Sequence, residues 1–130
     1  MAGVVLDANF LIALYNEKDT HHEWAHDVSL HTLGEELFIP ALSFAETLVR
    51  PARAGKADLI ALALEDLGVR VIPLLEDSAI HLAQVRADSG LRMPDAVVLQ
   101  AAIENDCSIA TSDGVLAKAA QTAGVAVFRP

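Results

Sequence analysis

Four acidic residues, Asp7, Glu46, Asp95 and Asp113, follow short apolar segments or open helical ones in this chain of 130 residues. In a parallel α/β sheet, positions just beyond the carboxyl ends of the strands lie at one edge, where such folds place their ligand sites. Carboxylates gathered there repel one another and resist ionising together. A hard divalent cation with oxygen ligands relieves that repulsion. The pattern therefore predicts a Mg²⁺ site.

Each of the four acids also has a structural interpretation. Asp7 and Asp113 are placed to cap the helices that follow them. Glu46 stands three residues after Ser43, which is the spacing of a capping box. Asp95 falls in the first turn of a helix, where a negative charge complements the helix dipole. Its apolar flanks predict a partly buried position, and a partly buried acid needs a partner, which favours a functional role.

Three polar residues accompany the acids and are supporting candidates. Asn9 follows Asp7 by two positions and either shares the helix cap or orients a water bound to a ligand. Thr111 and Ser112 lead from an apolar segment into Asp113. Polar groups in that position suit the shell of a phosphate or of a hydrated metal ion.

Five short segments, almost continuously apolar, are predicted strands: Val4–Leu6, Leu37–Ile39, Val69–Ile72, Ser108–Ala110 and Val125–Phe128. Such strands are typical of a sheet covered on both faces. Helices are expected between them: after Asp7, from a Thr20–Glu23 capping box to Gly34, from near Ser43 with a bend or break at Pro51 and Gly55, from Asp58 to Leu67, from Asp77 or Ser78 to Gly90, from Pro94 to about Asn105, and between Gly114 and Gly124. The alternation predicts a parallel sheet with right-handed crossovers.

Composition narrows the function further. The length suits one domain with a real core. No apolar run is long enough to span a membrane, and residues 1–10 lack the basic-then-apolar order of a signal peptide. The cytoplasm is therefore the expected location. The net charge of −9 argues against a protein that coats nucleic acid through a basic face, but it favours basic protein partners. Cys107, the single cysteine, is predicted to be an inert core thiol.

Taken in order, the motifs around the acids resemble those of the PIN domain, and more closely those of the VapC toxins of bacterial toxin–antitoxin pairs. The motifs are Val5-Leu6-Asp7-Ala8-Asn9, the Ser-x-x-Glu turn that ends at Glu46, Pro94-Asp95-Ala96 and Ala110-Thr111-Ser112-Asp113. The resemblance covers nearly the whole chain.

The resemblance implies one PIN domain over residues 1–130, an α/β three-layer sandwich whose five-stranded parallel sheet has the order 3-2-1-4-5, with helices on both faces. It also implies a Mg²⁺-dependent endoribonuclease, in which Mn²⁺ substitutes, and a homodimer silenced by a cognate antitoxin. By motif position, Asp7, Glu46, Asp95 and Asp113 take the catalytic acidic roles. Thr111 or Ser112 would support them through hydroxyl hydrogen bonds.

As a mechanistic hypothesis, Asp7, Asp95 and Asp113 bind the metal ion, and Glu46 orients or deprotonates the water that attacks the RNA phosphate. Arg92, three residues before Asp95, is the candidate for steering RNA phosphates. The acidic composition suits an antitoxin with a basic inhibitory segment. The rival function is a catalytically silent PIN-fold module that binds RNA or protein.

A second motif, His22-Glu23-Trp24-Ala25-His26, has the H-E-x-x-H spacing of a zinc protease, with two histidines on one helix face. No third ligand is evident. Glu23 is expected to act in the helix cap and Trp24 as a core anchor, so peptide hydrolysis is disfavoured.

Overall fold

The structure, a computed structural model, describes residues 3–130; residues 1 and 2, on which part of the signal-peptide prediction rests, lie outside the described residues. The strands are β1 (Gly3–Leu6), β2 (Glu36–Pro40), β3 (Val69–Ile72), β4 (Ser108–Ala110) and β5 (Val127–Phe128). The helices are α1 (Ala8–Tyr15), α2 (His22–His31), α3 (Ala41–Arg53), α4 (Ala57–Asp66), α5 (Ala79–Ser89), α6 (Met93–Asn105) and α7 (Gly114–Thr122), and a 3₁₀ turn (Glu76–Ser78) precedes α5.

All five strands are parallel and follow the order β3-β2-β1-β4-β5, which confirms the predicted fold. The central strand, β1, pairs with β2 on one side and with β4 on the other. Val5 lies opposite Phe38 and Ile109 in these two ladders. The carboxyl ends of β1 and β4 are therefore neighbours, so the residues that follow them meet at one edge.

Two hydrophobic clusters cover the two faces of the sheet. Val5 and Ile109 pack with α5, α6 and α7, whereas Val4 and Leu6 pack with α1, α2 and α4. Successive residues of a strand point to opposite faces, so the apolar run of β1 serves both clusters. This double burial fixes the end of β1, where Asp7 follows.

Burial on both faces was predicted for every strand but holds only for β1 and β4. In β3 the side chains of Arg70 and Val71 are exposed, and both residues of β5 are only half-buried. These two strands form the edges of the sheet, where the helices of one short domain do not extend far enough to cover both faces.

The predicted capping box of α2 is wrong. Helix α2 begins at His22, and its N-cap residue, His21, makes no side-chain capping bond. The Asp19 carboxylate instead accepts a hydrogen bond from the His21 backbone N–H at 2.9 Å. Thr20 stands one residue too early to cap the helix. At the other end α2 stops at His31, ahead of Gly34. The backbone N–H and the hydroxyl of Thr32 both donate to the Val28 carbonyl, at 3.0 Å and 2.9 Å.

Helix α3 corrects two further predictions. It begins at Ala41 rather than near Ser43, since Pro40 already holds the extended backbone of an N-cap residue. Ser43 is therefore inside the helix, with its hydroxyl buried and without a hydrogen-bond partner, and forms no capping box with Glu46. The predicted interruption falls at Gly55 rather than at Pro51, since α3 continues past Pro51 to Arg53, Gly55 has a φ of 71°, and α4 begins at Ala57.

The remaining helices follow the predictions closely. Helices α4 and α7 lie within the predicted bounds to about a residue, and α5 ends where Gly90 adopts the left-handed conformation, with φ of 71°. Helix α6 begins at Met93, one residue before the predicted Pro94. Among the helices of residues 3–130, none is long and apolar enough to cross a membrane.

The tightest backbone approach in the sheet predicts a stability effect. A Cβ atom on Gly3 would collide with the backbone carbonyl of Glu36 in the neighbouring strand, whereas one on Gly114 would meet no heavy atom within 4 Å. We expect Gly3→Ala to lower the free energy of unfolding by about 1–3 kcal/mol, as overpacking does. Urea denaturation would measure it, with Gly114→Ala as the matched control. Equal unfolding midpoints for the two variants would contradict the close approach.

Candidate active site at the carboxyl edge of the sheet

Asp7 is the buried centre of the site. It follows β1 directly, caps α1 and is only 7% exposed. Its Oδ1 accepts a hydrogen bond from the Ala8 backbone N–H at 2.8 Å, as the predicted cap requires. Its Oδ2 accepts from the Thr111 hydroxyl at 2.7 Å and from the Asn9 amide at 3.0 Å. Both carboxylate oxygens are therefore oriented by neighbours.

The supporting polar residues connect the ends of β1 and β4. The Asn9 carbonyl oxygen accepts a hydrogen bond from the Ser112 backbone N–H at 3.1 Å. The Thr111 hydroxyl donates to Asp7 and accepts from the Asp113 backbone N–H at 3.0 Å. A single network thus joins two loops that are more than a hundred residues apart in sequence, and it determines how Asp7 is presented.

The other three acids are contributed by α3, by α6 and by the start of α7. Asp113 caps α7, with its Oδ1 accepting from the backbone N–H groups of Val115 at 2.8 Å and Leu116 at 3.3 Å. Asp95 lies half-buried in the first turn of α6, as predicted. Glu46 lies exposed in α3.

The titration behaviour of the acids indicates that they are close together. Burial, followed by the charges of Asp95 and Asp113, raises the pKa of Asp7 to about 6, although the hydrogen bonds from Thr111 and Ala8 oppose the shift. Burial and the charge of Asp113 raise the pKa of Asp95. Burial and the charge of Asp95 raise the pKa of Glu46. All four acids therefore belong to one electrostatically coupled cluster.

This cluster is not neutralised by the protein itself. None of the four acids forms an ion pair within residues 3–130, and Arg92 only moderates the pKa of Asp95 from an exposed position. Over the same residues, no three acidic, histidine or cysteine side chains lie close enough to enclose a metal ion by themselves. A Mg²⁺ ion at this edge would therefore be held directly by at most two of these side chains and would keep several of its waters.

The H-E-x-x-H segment has a structural role in α2. Trp24 packs edge-on against Phe10, with ring centroids 5.5 Å apart, which agrees with the predicted anchor. The Nδ1 atom of His22 lies 2.8 Å from the Ala13 carbonyl oxygen, and His26 is exposed. Cys107 is buried as predicted, and burial raises the pKa of its thiol.

A groove beside the acids was not identified from the sequence. It has a volume of about 490 Å³ and lies between α7 and the turn that follows α5. Its walls are formed by Asp88, Ser89, Gly90, Leu91, Gly114, Val115, Lys118, Ala119 and Thr122. One face of α7 carries Val115, Lys118 and Thr122. Their helical spacing is the sequence feature from which this wall of the groove could have been predicted.

Comparisons with known proteins agree with this architecture. A sequence model described as the PIN domain matches residues 4–121. No curated protein matches the chain by sequence.

Several solved structures share the fold. FitAcB from Neisseria gonorrhoeae is 23% identical, with a TM-score of 0.75 and 96% of each chain covered. VapC20 from Mycobacterium tuberculosis, described as a sarcin–ricin loop cleaving toxin, is 21% identical, with a TM-score of 0.75 and with 98% of this chain and 100% of that chain covered. A toxin–antitoxin complex from Klebsiella pneumoniae is 21% identical, with a TM-score of 0.72 and coverage of 85% and 87%.

The raised pKa of Asp7 predicts a pH-dependent effect of its removal. The folded protein keeps a proton on Asp7 up to about pH 6, while the unfolded chain releases it near pH 3.8, so stability falls as the pH rises through this interval. We expect Asp7→Asn, which retains a good capping side chain, to be more stable than the native protein above about pH 7, by at most about 3 kcal/mol. Below about pH 4 the difference should disappear.

Urea unfolding in EDTA at both pH values would measure the effect of Asp7→Asn. Equal destabilisation of Asp7→Asn at both pH values would contradict the raised pKa of the buried Asp7 carboxylate.

Proposed function

The chain belongs to the PIN domain family, and on that premise we propose that it is a metal-dependent endoribonuclease that acts as the toxin of a toxin–antitoxin pair. The observation that carries the proposal is the coupled cluster of Asp7, Glu46, Asp95 and Asp113 at the carboxyl edge of the sheet, with no ion-pair partner within residues 3–130. Structural acids are usually paired or solvated. This cluster has the donor set of a hard cation.

The toxin role draws on the solved structures that share the fold. One of them is described as a toxin that cleaves the sarcin–ricin loop, and another as a toxin–antitoxin complex. We propose RNA as the substrate of this chain by the same likeness, and Mg²⁺, with Mn²⁺ as a substitute, as its cofactor. Residues 1–130 would form one PIN domain.

In the proposed mechanism, Asp7 and Asp95 hold the metal ion and Asp113 assists them from the start of α7. A bound Mg²⁺ would lower the pKa of water and neutralise charge on the scissile phosphate. Glu46, exposed and with a raised pKa, would orient the attacking water and accept its proton. Attack in line would leave a 5′-phosphate and a 3′-hydroxyl.

The hydrogen bonds around Asp7 have a role in this scheme. Thr111 and Asn9 hold its Oδ2 at 2.7 Å and 3.0 Å, so the carboxylate does not need to reorganise when the cation binds. Such preorganisation is the main contribution that a protein makes to a charged transition state. Ser112 supports it indirectly by bonding Asn9.

A second surface favours a protein partner. A groove of about 410 Å³ is lined mainly by apolar side chains, among them the exposed Leu30, Leu33 and Leu67. Exposed apolar surface of this kind marks interaction sites. We propose that the cognate antitoxin occupies it and that a basic segment of the antitoxin reaches the carboxylates, as the net charge of −9 favours.

The proposed homodimer has a candidate surface at the edge of the sheet. Strand β3 has one unpaired side, and the exposed side chains of Val71, Leu74 and Leu75 lie in or just after it. An exposed edge strand with apolar side chains can pair with a strand of another chain or be covered by another element. A second copy of the chain would cover it.

The central prediction concerns Asp95. Asp95→Asn should reduce RNA cleavage by at least about a hundredfold, as loss of a group that stabilises transition-state charge does. Its matched control is Asp58→Asn, which changes an exposed acid in the first turn of α4 and should retain full activity. Gel analysis of RNA with Mg²⁺ and with EDTA would measure both. Full metal-dependent cleavage by Asp95→Asn would refute the assignment. RNA binding by the native protein without metal-dependent cleavage would favour the silent binding module.

Metal binding has a readout that does not depend on activity. Saturating Mg²⁺ or Mn²⁺ should raise the melting temperature of the native protein, because the ion binds the folded state and relieves its repulsion. The same additions should leave the melting temperature of Asp7→Asn nearly unchanged. Differential scanning fluorimetry would record the shifts. If neither ion changes the melting temperature of the native protein, the proposed metal site is contradicted.

A further inference from the structure

The groove beside α7 begins at the residue that follows one of the four acids. Gly114, at one end of its first wall, directly follows Asp113. Leu91, at the end of its second wall, is separated from Asp95 by only three residues, the first of which is Arg92. Both walls of the groove are thus connected through short stretches of backbone to acids of the cluster.

We propose that this groove holds the RNA segment next to the scissile bond, with Lys118 contacting a backbone phosphate and Val115 lying against the sugar or base. The inference rests on the proposed ribonuclease function and adds a positioning residue to it. Lys118 would position the substrate without taking part in the chemistry.

Charge is the first argument for Lys118. The protein has 18 acids against 9 bases, so an approaching phosphate chain meets repulsion over most of the surface. Lys118 is exposed, and no hydrogen bond or ion pair of its side chain occurs within residues 3–130. Asp88, the acid in the opposite wall, accepts a hydrogen bond from the Gln84 amide at 2.9 Å. Asp88 keeps its negative charge, so a phosphate in the groove is expected to lie on the α7 side, against Lys118.

The shape of the groove is the second argument. A Cβ atom placed on Gly90 or Gly114 would meet no heavy atom within 4 Å, so both walls are open at the positions nearest the acids. Val115 is 68% exposed although it is a large apolar residue. Its position one helical turn before Lys118 offers an apolar surface next to a cation, which suits a nucleotide with an apolar face and a charged phosphate.

Binding of RNA by Lys118→Ala tests the proposal directly. The probe is a short, labelled single-stranded RNA of randomised sequence, and Asp95→Asn is the common background so that the probe stays intact. Lys118→Ala should weaken binding at every salt concentration and reduce the slope of log affinity against log salt by about 0.7, the value for one phosphate contact on a single strand. In the active protein it should raise KM and leave kcat within about twofold.

The matched control is Lys18→Ala. Lys18 is exposed and follows the end of α1 opposite to the one that Asp7 caps. It should change neither the affinity nor the salt slope. If Lys118→Ala behaves like Lys18→Ala while the native protein binds and cleaves RNA, the groove assignment is overturned and the proposed function stands. If the native protein neither binds nor cleaves RNA, both fail.

A second variant tests the groove without removing a cation. Val115→Glu puts an acid into the first turn of α7, where it complements the helix dipole and preserves folding. It should weaken RNA binding by repulsion. Ile80→Glu is its control. Ile80 is 84% exposed in the first turn of α5. The next residue, His81, contacts Glu104 at the end of α6 that is far from Asp95. Equal binding by these two variants would overturn the proposal.

Discussion

Burial of the Asp7 carboxylate, to which the charges of neighbouring acids add, is the constraint on which the rest of the site depends. Asp7 is held almost out of water at the end of a strand that is buried on both faces, and its charged form is disfavoured by burial before any neighbour is considered. Asp95 and Asp113 add to that cost. A fold that retains such an arrangement gives up stability at neutral pH, and a cation that bound the folded state would recover that loss.

The hydrogen bonds around Asp7 explain why the arrangement does not relax. Rotation of the Asp7 side chain would break bonds to Ala8, Thr111 and Asn9 at once, and Asn9 in turn holds the loop at Ser112. The network works because β1 and β4 are neighbours in the sheet. Electrostatic strain and hydrogen-bonded order are therefore located at the same place, as is common where a protein must present a charge to a ligand.

Under the proposed function, one edge of the sheet would serve both a substrate and an inhibitor. A protein with a net charge of −9 would repel RNA except where a metal ion or a local cation reverses the field. The same acidity would attract a basic protein segment to the same edge. Substrate and inhibitor would thus compete for the four carboxylates, which gives a physical basis for silencing a nuclease by a partner.

The sequence by itself determined the order of strands and helices, since apolar runs and glycine stops are local signals, and with the family motifs it identified the four acids. It misplaced the caps at Thr20 and Ser43, because one residue of shift in a helix start changes which side chain can reach a backbone donor. Only the tertiary structure decided which strands are covered on both faces, that Asn9 and Thr111 share Asp7, and that a groove with Lys118 adjoins the acids. Each of these depends on contacts between distant segments, and such contacts follow from packing rather than from local pattern.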